Sequence, residues 1–320
     1  MGSIARGNRN MFLESKNSSI QQIHFSEIIG SGISLFIKRE DELHPFISGN
    51  KFRKLKYNLI EASNQNKKTL LTFGGAYSNH IAATAAAGFQ FGLKTIGVIR
   101  GEELANNLEE VLNTNPTLKF ASEHNMQFHF VSRSDYREKT SKEFIEGLKE
   151  KFGDFYLVPE GGTNKFAVKG CEEILIETDE VYDVICSSVG TGGTISGIIN
   201  STNKDQKVIG FPALKGNFLQ NEIKKYALNN KNWSLNTDYH FGGYAKISEE
   251  LIHFINKFKN ETGIPLDPVY TGKMLFGIVD LIKKDYFETG TQILAIHTGG
   301  LQGIEGMNVY LKKKNLEQIV

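Results

Sequence analysis

Apolar and polar positions along the chain follow two alternating patterns. Short apolar runs, several of them ending in glycine, predict buried strands, whereas longer segments with apolar residues at every third or fourth position predict helices. The predicted strands cover residues 70–73, 95–99, 128–131, 184–186, 208–211 and 293–296, and the predicted helices include residues 51–62, 81–91 and 249–261. Because strands and helices alternate, we predict an α/β fold built from βαβ units with parallel sheets.

The size and composition of the chain agree with this prediction. At 320 residues the chain exceeds what one small core organises, so we expect one large domain or two closely packed domains. Hydrophobic residues at 40% and charged residues at 23% lie near the globular average and exclude an intrinsically disordered chain. The sequence shows no internal repeat of fixed period, which excludes solenoids and propellers.

Charge and cysteine content narrow the classes of partner. The chain has 37 Lys and Arg against 36 Asp and Glu, so we expect no nucleic-acid partner and no membrane partner, and a small molecule instead. Cys171 and Cys186 give no disulfide framework, and neither a leader-like region nor a long apolar stretch is present, so we expect a cytoplasmic protein. Without an HExxH or CxxC motif, we expect no metal site.

The first candidate for chemistry is the segment S-G-N-K-F-R-K-L at residues 48–55, where a glycine turn opens a predicted helix. Lys51 falls in the first turn, beside the positive end of the helix dipole, and Arg53 and Lys54 follow it. These positive neighbours should lower the pKa of Lys51, which makes it a candidate for a Schiff base. The alternative from the residues alone is a surface lysine on a basic helix.

The second candidate is G-G-A-Y-S-N-H at residues 74–80, directly after a predicted strand and before a helix of small residues. Ser78 or Asn79 would cap that helix, and its free backbone amides would form a pocket for a carboxylate such as that of an α-amino acid. A capped structural helix without a ligand is the alternative.

The third candidate is G-T-G-G-T at residues 190–194, between a predicted strand and an apolar helix. Glycines let successive amides converge and the threonine hydroxyls add donors, so the loop suits a phosphate monoester. It lacks the Gly-Lys-Ser/Thr of a Walker loop, and Ile195 stands where a dinucleotide fingerprint has its third glycine. Two further segments, residues 267–273 and 296–300, place hydroxyls near predicted strand ends and are weaker signals.

Taken together and in this order, these motifs resemble the 1-aminocyclopropane-1-carboxylate deaminase / D-cysteine desulfhydrase family, from about residue 35 to residue 300. That family belongs to the tryptophan-synthase-β-like class of pyridoxal-phosphate enzymes. The resemblance implies a two-domain fold of type II in which each domain is a twisted sheet flanked by helices. It also implies a larger domain of residues 1–56 and 166–320, a smaller inserted domain of residues 57–165, a cofactor in the cleft between them, and a homodimer.

The resemblance also implies roles for individual residues. Lys51 would carry pyridoxal 5'-phosphate covalently and act as base, and Asn79 would contact the ring hydroxyl. Ser78 and the amides that follow it would hold the carboxylate of a small amino-acid substrate. The other implied positions are Tyr77 and His80 around the substrate, Lys54, Gly190, Thr191, Gly192, Gly193 and Thr194 around the phosphate, Tyr244 and Tyr270 as active-site tyrosines, and Thr271 and Thr298 near the pyridine nitrogen.

The choice between the two activities of the family depends on the residue after the second tyrosine. Deaminases have Glu there, whereas this chain has Thr271, and residues 297–300, H-T-G-G, also look like the desulfhydrase branch. The expected reaction is therefore β-elimination from a small amino acid, with D-cysteine first, giving pyruvate, ammonia and hydrogen sulfide. The alternatives are deamination of 1-aminocyclopropane-1-carboxylate to 2-oxobutyrate and ammonia, and a catalytically silent ligand-binding relative. Tyr77 stands where the family has glutamine, and we expect this bulkier side chain to reshape the substrate pocket.

Overall fold

The computed structural model describes residues 17–228 and 232–320. Its strands are β1 (Ile20–Gln22), β2 (Ser34–Lys38), β3 (Thr69–Gly75), β4 (Lys94–Arg100), β5 (Met126–Val131), β6 (Tyr156–Val158), β7 (Val184–Val189), β8 (Lys207–Pro212), β9 (Trp233–Leu235) and β10 (Gln292–Ile296). Its α-helices are α1 (Asn50–Asn64), α2 (Asn79–Phe91), α3 (Leu108–Thr114), α4 (Pro116–Glu123), α5 (Lys142–Phe152), α6 (Lys165–Cys171), α7 (Gly193–Ser201), α8 (Phe218–Lys224), α9 (Glu249–Thr262), α10 (Thr271–Lys283) and α11 (Gly303–Lys313).

These strands form two sheets. One has six strands in the order β1-β2-β10-β7-β8-β9, all parallel except β1 at the edge, and the other has four parallel strands in the order β5-β4-β3-β6. The predicted α/β fold is confirmed, and each predicted strand lies inside an observed one. The prediction missed β1, β2, β6 and β9. Three of these strands have only three residues, which is too short to show a period of two.

The central strands are nearly continuous apolar runs because helices cover both of their faces. β7 shows this best, since all six of its residues are buried. Its side chains divide between two hydrophobic clusters on opposite faces of the sheet: Val184 and Cys186 contribute to one, and Ile185 and Val189 to the other. In the part of the chain that the structure describes, no helix is long and apolar enough to cross a membrane.

Helix α1 connects the segments that surround the candidate site. A Cβ atom at Gly49 would collide with the Thr298 carbonyl, so the start of the helix can approach the end of β10 only through glycine. At the other side, the Arg53 carbonyl would collide with a Cβ atom at Gly170 of α6. The strands of the four-stranded sheet come from residues 69–158. The domain bounds at residues 57 and 165 stay a prediction, and residues 1–16 of the larger predicted domain lie outside the described residues.

Candidate active site

A cavity lies where the carboxyl ends of β7 and β10 meet the first turns of α1, α2 and α7, the usual place for a ligand in an open parallel sheet. The predicted site residues that line it are Lys51, Lys54, Asn79, Gly190, Thr191, Gly192, Thr194, Tyr270 and Thr298. The lining residues that were not predicted are Ser48, Asn50, Ala83, Gly161, Ser188, Val189, Ile195, Gly299, Gly300 and Gln302. The predicted residues Tyr77, Ser78, His80, Gly193, Tyr244 and Thr271 lie outside the lining.

Lys51 lies in the wall of this cavity, in the first turn of α1. Within the described residues its ammonium has no hydrogen-bond partner. Burial, followed by the positive charge of Lys54, lowers the pKa of Lys51 to about 7. The predicted direction of this shift is confirmed, but Arg53, which was expected to contribute, is turned away and paired with the buried carboxylate of Glu40 at 2.8 Å. Near neutral pH about half of Lys51 is therefore an unprotonated amine.

Lys54 lies one turn further along α1 and reaches the glycine loop. Its Nζ donates hydrogen bonds to the Gly161 carbonyl at 3.0 Å, to Thr163 Oγ1 at 3.1 Å and to Thr191 Oγ1 at 3.4 Å. Burial lowers its pKa to about 8. Since the two threonine hydroxyls are also 2.5 Å apart, one cation and two hydroxyls converge on the same side of the cavity. This arrangement suits an anion with several oxygens.

The first turn of α7 completes this anion site. Gly192 precedes the helix at φ +86°, and no side chain caps the helix, so its first amides are left for another acceptor. A Cβ atom at Gly193 would lie 2.8 Å from Thr163 Oγ1, so glycine lets the Thr163 hydroxyl approach the loop. Asn50 Nδ2 donates to Thr194 Oγ1 at 2.9 Å and joins the loop to α1. The predicted phosphate loop therefore has the geometry of an open anion site.

The first turn of α2 differs, because its cap is already satisfied. The Ser78 hydroxyl accepts from the amides of His80 and Ile81 at 3.3 and 3.4 Å. The next side chain, Asn79, points into the cavity, where its Oδ1 is buried without a hydrogen-bond partner. A buried orphaned amide oxygen is costly and indicates that a ligand group completes it. Thus Asn79, rather than Ser78, presents a polar side chain to the cavity.

Two hydroxyls lie at the strand ends on another wall. Ser188 Oγ and Thr298 Oγ1 are 3.0 Å apart, and both residues line the cavity. Thr271, the other candidate for the pyridine nitrogen, is fully buried outside it. Its hydroxyl donates to Asp267 Oδ1 at 2.7 Å and accepts from the Asp267 amide at 2.9 Å. We therefore correct the prediction: Thr271 holds the turn before α10 together, and it does not contact the cavity.

The two predicted tyrosines lie together but are exposed to different degrees. Their rings, Tyr244 and Tyr270, are 6.3 Å apart in an edge-to-face arrangement. Tyr270 lines the cavity next to Gly190, where a Cβ atom would lie 3.2 Å from its ring. Tyr244 is 46% exposed and lies outside the lining. Burial, assisted by the neighbouring Tyr244, raises the pKa of Tyr270 well above its usual value, so its phenol keeps its proton.

Tyr77 and His80 do not reach the cavity. Tyr77 is 50% exposed and packs over Gly306 of α11, and His80 is buried with its Nε2 2.7 Å from Thr72 Oγ1. Burial and the charges of Lys51 and Lys54 lower the pKa of His80 well below its usual value. Because the Thr72 hydroxyl donates its proton to the Val158 carbonyl, it accepts from His80 Nε2. The structure thus gives neither residue direct access to a substrate in the cavity.

Several residues of the site were missed by sequence reasoning, most clearly Gly161, Thr163 and Ser188. A signal existed for the first two, since E-G-G-T at residues 160–163 follows β6 and precedes α6. That order of strand, glycine turn, hydroxyl and helix matches the order at residues 189–194. Ser188 lies inside an apolar strand and carried no local signal.

Comparison with known proteins identifies the family of the chain. A family model described as pyridoxal-phosphate dependent enzyme matches residues 20–299. The chain belongs to this family. The match covers both sheets and the loops that line the cavity, apart from the helix α11 and the residues leading into it.

Named relatives agree with the resemblance seen in the motifs. The chain is 34% identical over 291 residues to a putative 1-aminocyclopropane-1-carboxylate deaminase of Pyrococcus horikoshii, covering 85% of this chain and 86% of that protein. It is 32% identical to a bifunctional D-cysteine desulfhydrase/1-aminocyclopropane-1-carboxylate deaminase of Arabidopsis thaliana, covering 86% and 74%. A D-cysteine desulfhydrase of Klebsiella pneumoniae is 26% identical, covering 88% and 90%. The predicted family is confirmed.

A solved structure of similar sequence identity supports the fold. The crystal structure of a homologue of 1-aminocyclopropane-1-carboxylate deaminase superimposes with a TM-score of 0.75 at 30% identity, covering 98% of each chain. The predicted type II fold of pyridoxal-phosphate enzymes is confirmed, and the protein is an enzyme that uses this cofactor.

The residues of the cavity fit pyridoxal phosphate. The cofactor needs an amine for covalent attachment, donors for its phosphate and a partner for its ring hydroxyl. Lys51 supplies an amine of lowered pKa. The uncapped first turn of α7, with Lys54, would supply donors for the phosphate. The orphaned Asn79 amide supplies the third group. Among the described residues, no cluster of three His, Cys, Asp or Glu is placed to hold a metal ion.

Proposed function

We propose that the protein catalyses pyridoxal-phosphate dependent β-elimination on a small amino acid, with D-cysteine as the first candidate. In this reaction D-cysteine and water give pyruvate, ammonia and hydrogen sulfide. The observation that carries the proposal is the chemistry of the cavity wall at the strand ends. None of the described residues that line the cavity is acidic, and the groups at the ends of β7 and β10 are the neutral hydroxyls of Ser188 and Thr298.

An acidic group does lie near the cavity, but both of its oxygens already accept hydrogen bonds from other residues. Asp267 lies behind Gly300, where a Cβ atom would be 3.3 Å from its carboxyl carbon. Its two oxygens accept from the amides of Val269, Tyr270 and Thr271 and from the Thr271 hydroxyl, at 2.7 to 2.9 Å. A carboxylate with four donors is a structural anchor for the turn before α10. This supports a neutral partner, and not a carboxylate, for the pyridine nitrogen.

A neutral partner favours one of the two family reactions. When bound, the cofactor supplies an electron sink for the bond that breaks at Cα. A carboxylate partner would keep the pyridine nitrogen protonated and the sink strong, whereas a hydroxyl does so poorly. Opening a cyclopropane ring demands the stronger sink, and expelling a thiol from Cβ demands less. The hydroxyl wall therefore supports desulfhydrase-like elimination.

The roles of the other residues follow from their positions. Lys51 would hold the cofactor, and as an amine in the cavity wall it would serve as the base for the α-proton of the substrate. Its lowered pKa keeps part of it unprotonated at neutral pH, as a base requires. The Asn79 side chain, whose Oδ1 is buried without a partner, would contact the hydroxyl of the cofactor ring. Tyr270, protonated and next to Gly190 in the cavity lining, would contact the reacting group.

Deamination of 1-aminocyclopropane-1-carboxylate is the second candidate. It is favoured by the names of the relatives, since the Pyrococcus horikoshii protein carries that name and the Arabidopsis thaliana protein carries both. The two activities have different products, so one experiment separates them.

The experiment supplies purified enzyme, loaded with pyridoxal phosphate, with each substrate in turn. We expect sulfide and pyruvate from D-cysteine at a rate at least tenfold above the 2-oxobutyrate formed from 1-aminocyclopropane-1-carboxylate. Lys51→Ala should lose the covalent cofactor link, seen by mass spectrometry after borohydride reduction, and should lose turnover. Rapid formation of 2-oxobutyrate with D-cysteine inert would reverse the order of the two candidates.

The proposal includes a homodimer in the cytoplasm. The two cysteines support a reducing compartment, because both are free and buried. Light scattering on the eluted protein should give twice the mass of one chain. A monomer of full activity would contradict the dimer.

A further inference from the structure

A second cavity, of about 600 Å³, lies at the carboxyl end of the four-stranded sheet. We call it the basic cleft. Its charged residues are four cations and two acids: Arg100, Arg133, Arg137 and Lys139 against Glu103 and Glu160, a net charge of +2. The whole chain is nearly neutral, so the cleft carries a local excess of positive charge.

The acids of the basic cleft do not neutralise all of its cations. Glu160 accepts from the Tyr136 hydroxyl at 2.7 Å and pairs with Lys139 at 3.3 Å, and Glu103 lies 3.9 Å from Arg133. Among the described residues, the guanidinium groups of Arg100 and Arg137 have no hydrogen bond and no ion pair; that of Arg100 lies 5.7 Å from the centre of the Tyr136 ring. Two planar guanidinium groups without an acid partner suit a carboxylate or a phosphate.

The basic cleft adjoins the candidate active site through two shared loops. Residues 75 and 76 line the cleft, and Asn79, at the end of the same turn, lines the active-site cavity. Glu160 lines the cleft, and the next residue, Gly161, lines the cavity. A Cβ atom at Gly75 would lie 3.7 Å from Arg100 Nη2, so the guanidinium lies over the turn that leads to α2.

Electrostatics connects the same two places. The ring of Tyr244 lies 6.3 Å from that of Tyr270 of the active-site cavity. The pKa of Tyr244 is raised, first by burial, and of the two cleft charges that act on it Arg100 opposes the rise and Glu160 adds to it. Charged residues of the basic cleft therefore lie within electrostatic range of the tyrosine pair. The thiol of cysteine is too short and carries no distal charge, so the first candidate substrate leaves the basic cleft unused.

We propose that the basic cleft binds an anionic group at the far end of the substrate's β-substituent, with Arg100 as its main contact. This inference rests on the proposed function and narrows its substrate class to amino acids of the form X–CH₂–CH(NH₂)–COOH in which X ends in a carboxylate or phosphate. The Cβ–X bond breaks with its electron pair going to X, the α-proton goes to Lys51, and water completes the products pyruvate, ammonia and HX.

The first test compares two substrates of nearly equal shape. S-carboxymethylcysteine ends in a carboxylate, and S-carbamoylmethylcysteine ends in a neutral amide at the same place. We expect kcat/KM of the holoenzyme to be at least tenfold higher for the carboxylate, mainly through KM, in the stereoisomer that is turned over. O-phosphoserine of the same configuration tests phosphate as the distal group.

Arg100→Gln should reduce the preference for the carboxylate to less than about threefold. Lys142→Gln is the matched control, since it removes one exposed positive charge from α5, outside the basic cleft. It should keep the full preference. A preference that is absent in the parent enzyme, or that Arg100→Gln leaves intact, overturns the inference.

A binding measurement separates this inference from the proposed reaction. In Lys51→Ala loaded with cofactor, where turnover is blocked, calorimetry should show at least tenfold tighter binding of S-carboxymethylcysteine than of its amide. Adding Arg100→Gln should abolish the difference. If binding is tight and depends on Arg100, but the parent enzyme eliminates nothing, the proposed function is wrong and the inference that the basic cleft binds an anion stands. Equal binding of the two compounds would overturn the inference that the basic cleft binds an anionic group, whichever reaction the enzyme catalyses.

Discussion

Helices α2 and α7 both begin at the active-site cavity after a glycine turn that follows a buried strand, but they treat their first amides in opposite ways. At α2 the Ser78 hydroxyl accepts from two of these amides. At α7 the preceding residue is Gly192, and no side chain caps the helix. A capped helix is stable without a ligand, whereas an uncapped one gains a partner for its amides only when an anion binds.

From this difference we infer that the two loops have different roles in binding. Under the proposed function the α7 loop, with Lys54 and Thr163, binds the cofactor phosphate, so its open amides would be filled in the working protein. The α2 helix has its own cap, so this helix would be stable whether or not a substrate is bound. The four predictions that follow test this difference, from the largest expected effect to the smallest.

The first prediction concerns Lys51, which lines the same cavity as the two loops. At pH 7 an amine with a pKa of about 7 is half unprotonated. That fraction is roughly a thousandfold more than for an ordinary lysine. Because only the neutral amine attacks the cofactor aldehyde, the rate of attachment to cofactor-free protein should rise with pH and level off above about pH 7. Stopped-flow absorbance measures this rate, with N-acetyl-lysine as the control.

The same measurement on Lys54→Met tests the cause of the shift. Lys54 lowers the pKa of Lys51 by its charge, so its removal should move the midpoint to higher pH. A midpoint near the ordinary lysine value in the parent protein would contradict the lowered pKa of Lys51.

The second prediction concerns the anion site at α7. Lys54→Met removes the cation that contacts Gly161, Thr163 and Thr191, and we expect the cofactor Kd to rise about a hundredfold. Lys68→Met, an exposed lysine just beyond α1, is the control and should leave the Kd unchanged. Fluorescence titration of the cofactor-free proteins measures both. Equal affinity in the two variants would show that the phosphate binds elsewhere.

The third prediction separates two threonines that the sequence treated alike. Thr298→Val removes a hydroxyl from the cavity wall, and we expect kcat to fall about tenfold with little change in stability. Thr271→Val removes a buried hydrogen bond to a carboxylate, and we expect a loss of about 2 kcal/mol in the free energy of unfolding with kcat retained. Steady-state kinetics and urea unfolding measure the two effects. If Thr271→Val instead lowers kcat and Thr298→Val instead lowers the stability, then Thr271 is the threonine that contacts the bound cofactor.

The fourth prediction concerns the cap of α2. Ser78→Ala should lower the free energy of unfolding of the cofactor-free protein by about 1 kcal/mol, and Ser78→Gly by only a few tenths. The cofactor Kd should change by less than about threefold, in contrast to Lys54→Met. Ser248→Ala, which removes the equivalent cap of α9, is the matched control for stability. A large loss of cofactor affinity in Ser78→Ala, but not in Ser248→Ala, would show that the α2 loop also contributes to cofactor binding and would contradict the difference inferred between the two loops.

The sequence by itself determined the elements whose signal is local. The runs at β3 and β7 are strands because both of their faces are buried, which makes them apolar at consecutive positions. Helices follow where the period changes to three or four, and the glycine turns between them mark the ends of strands where ligands bind. The anion loop at residues 190–194 and the lysine in the first turn of α1 could be predicted because each is a short segment with its own chemistry.

Only the tertiary structure decided which hydroxyls and amides reach the cavity. Thr271 and Thr298 look equivalent in sequence, but Thr271 is turned to Asp267 and Thr298 to Ser188, 110 positions away. The low pKa of Lys51 comes first from burial, which depends on how α1 packs against the end of β10. The basic cleft likewise assembles ends of separate strands and loops. These properties depend on contacts between residues distant in the chain, and a periodic pattern reports only on neighbours.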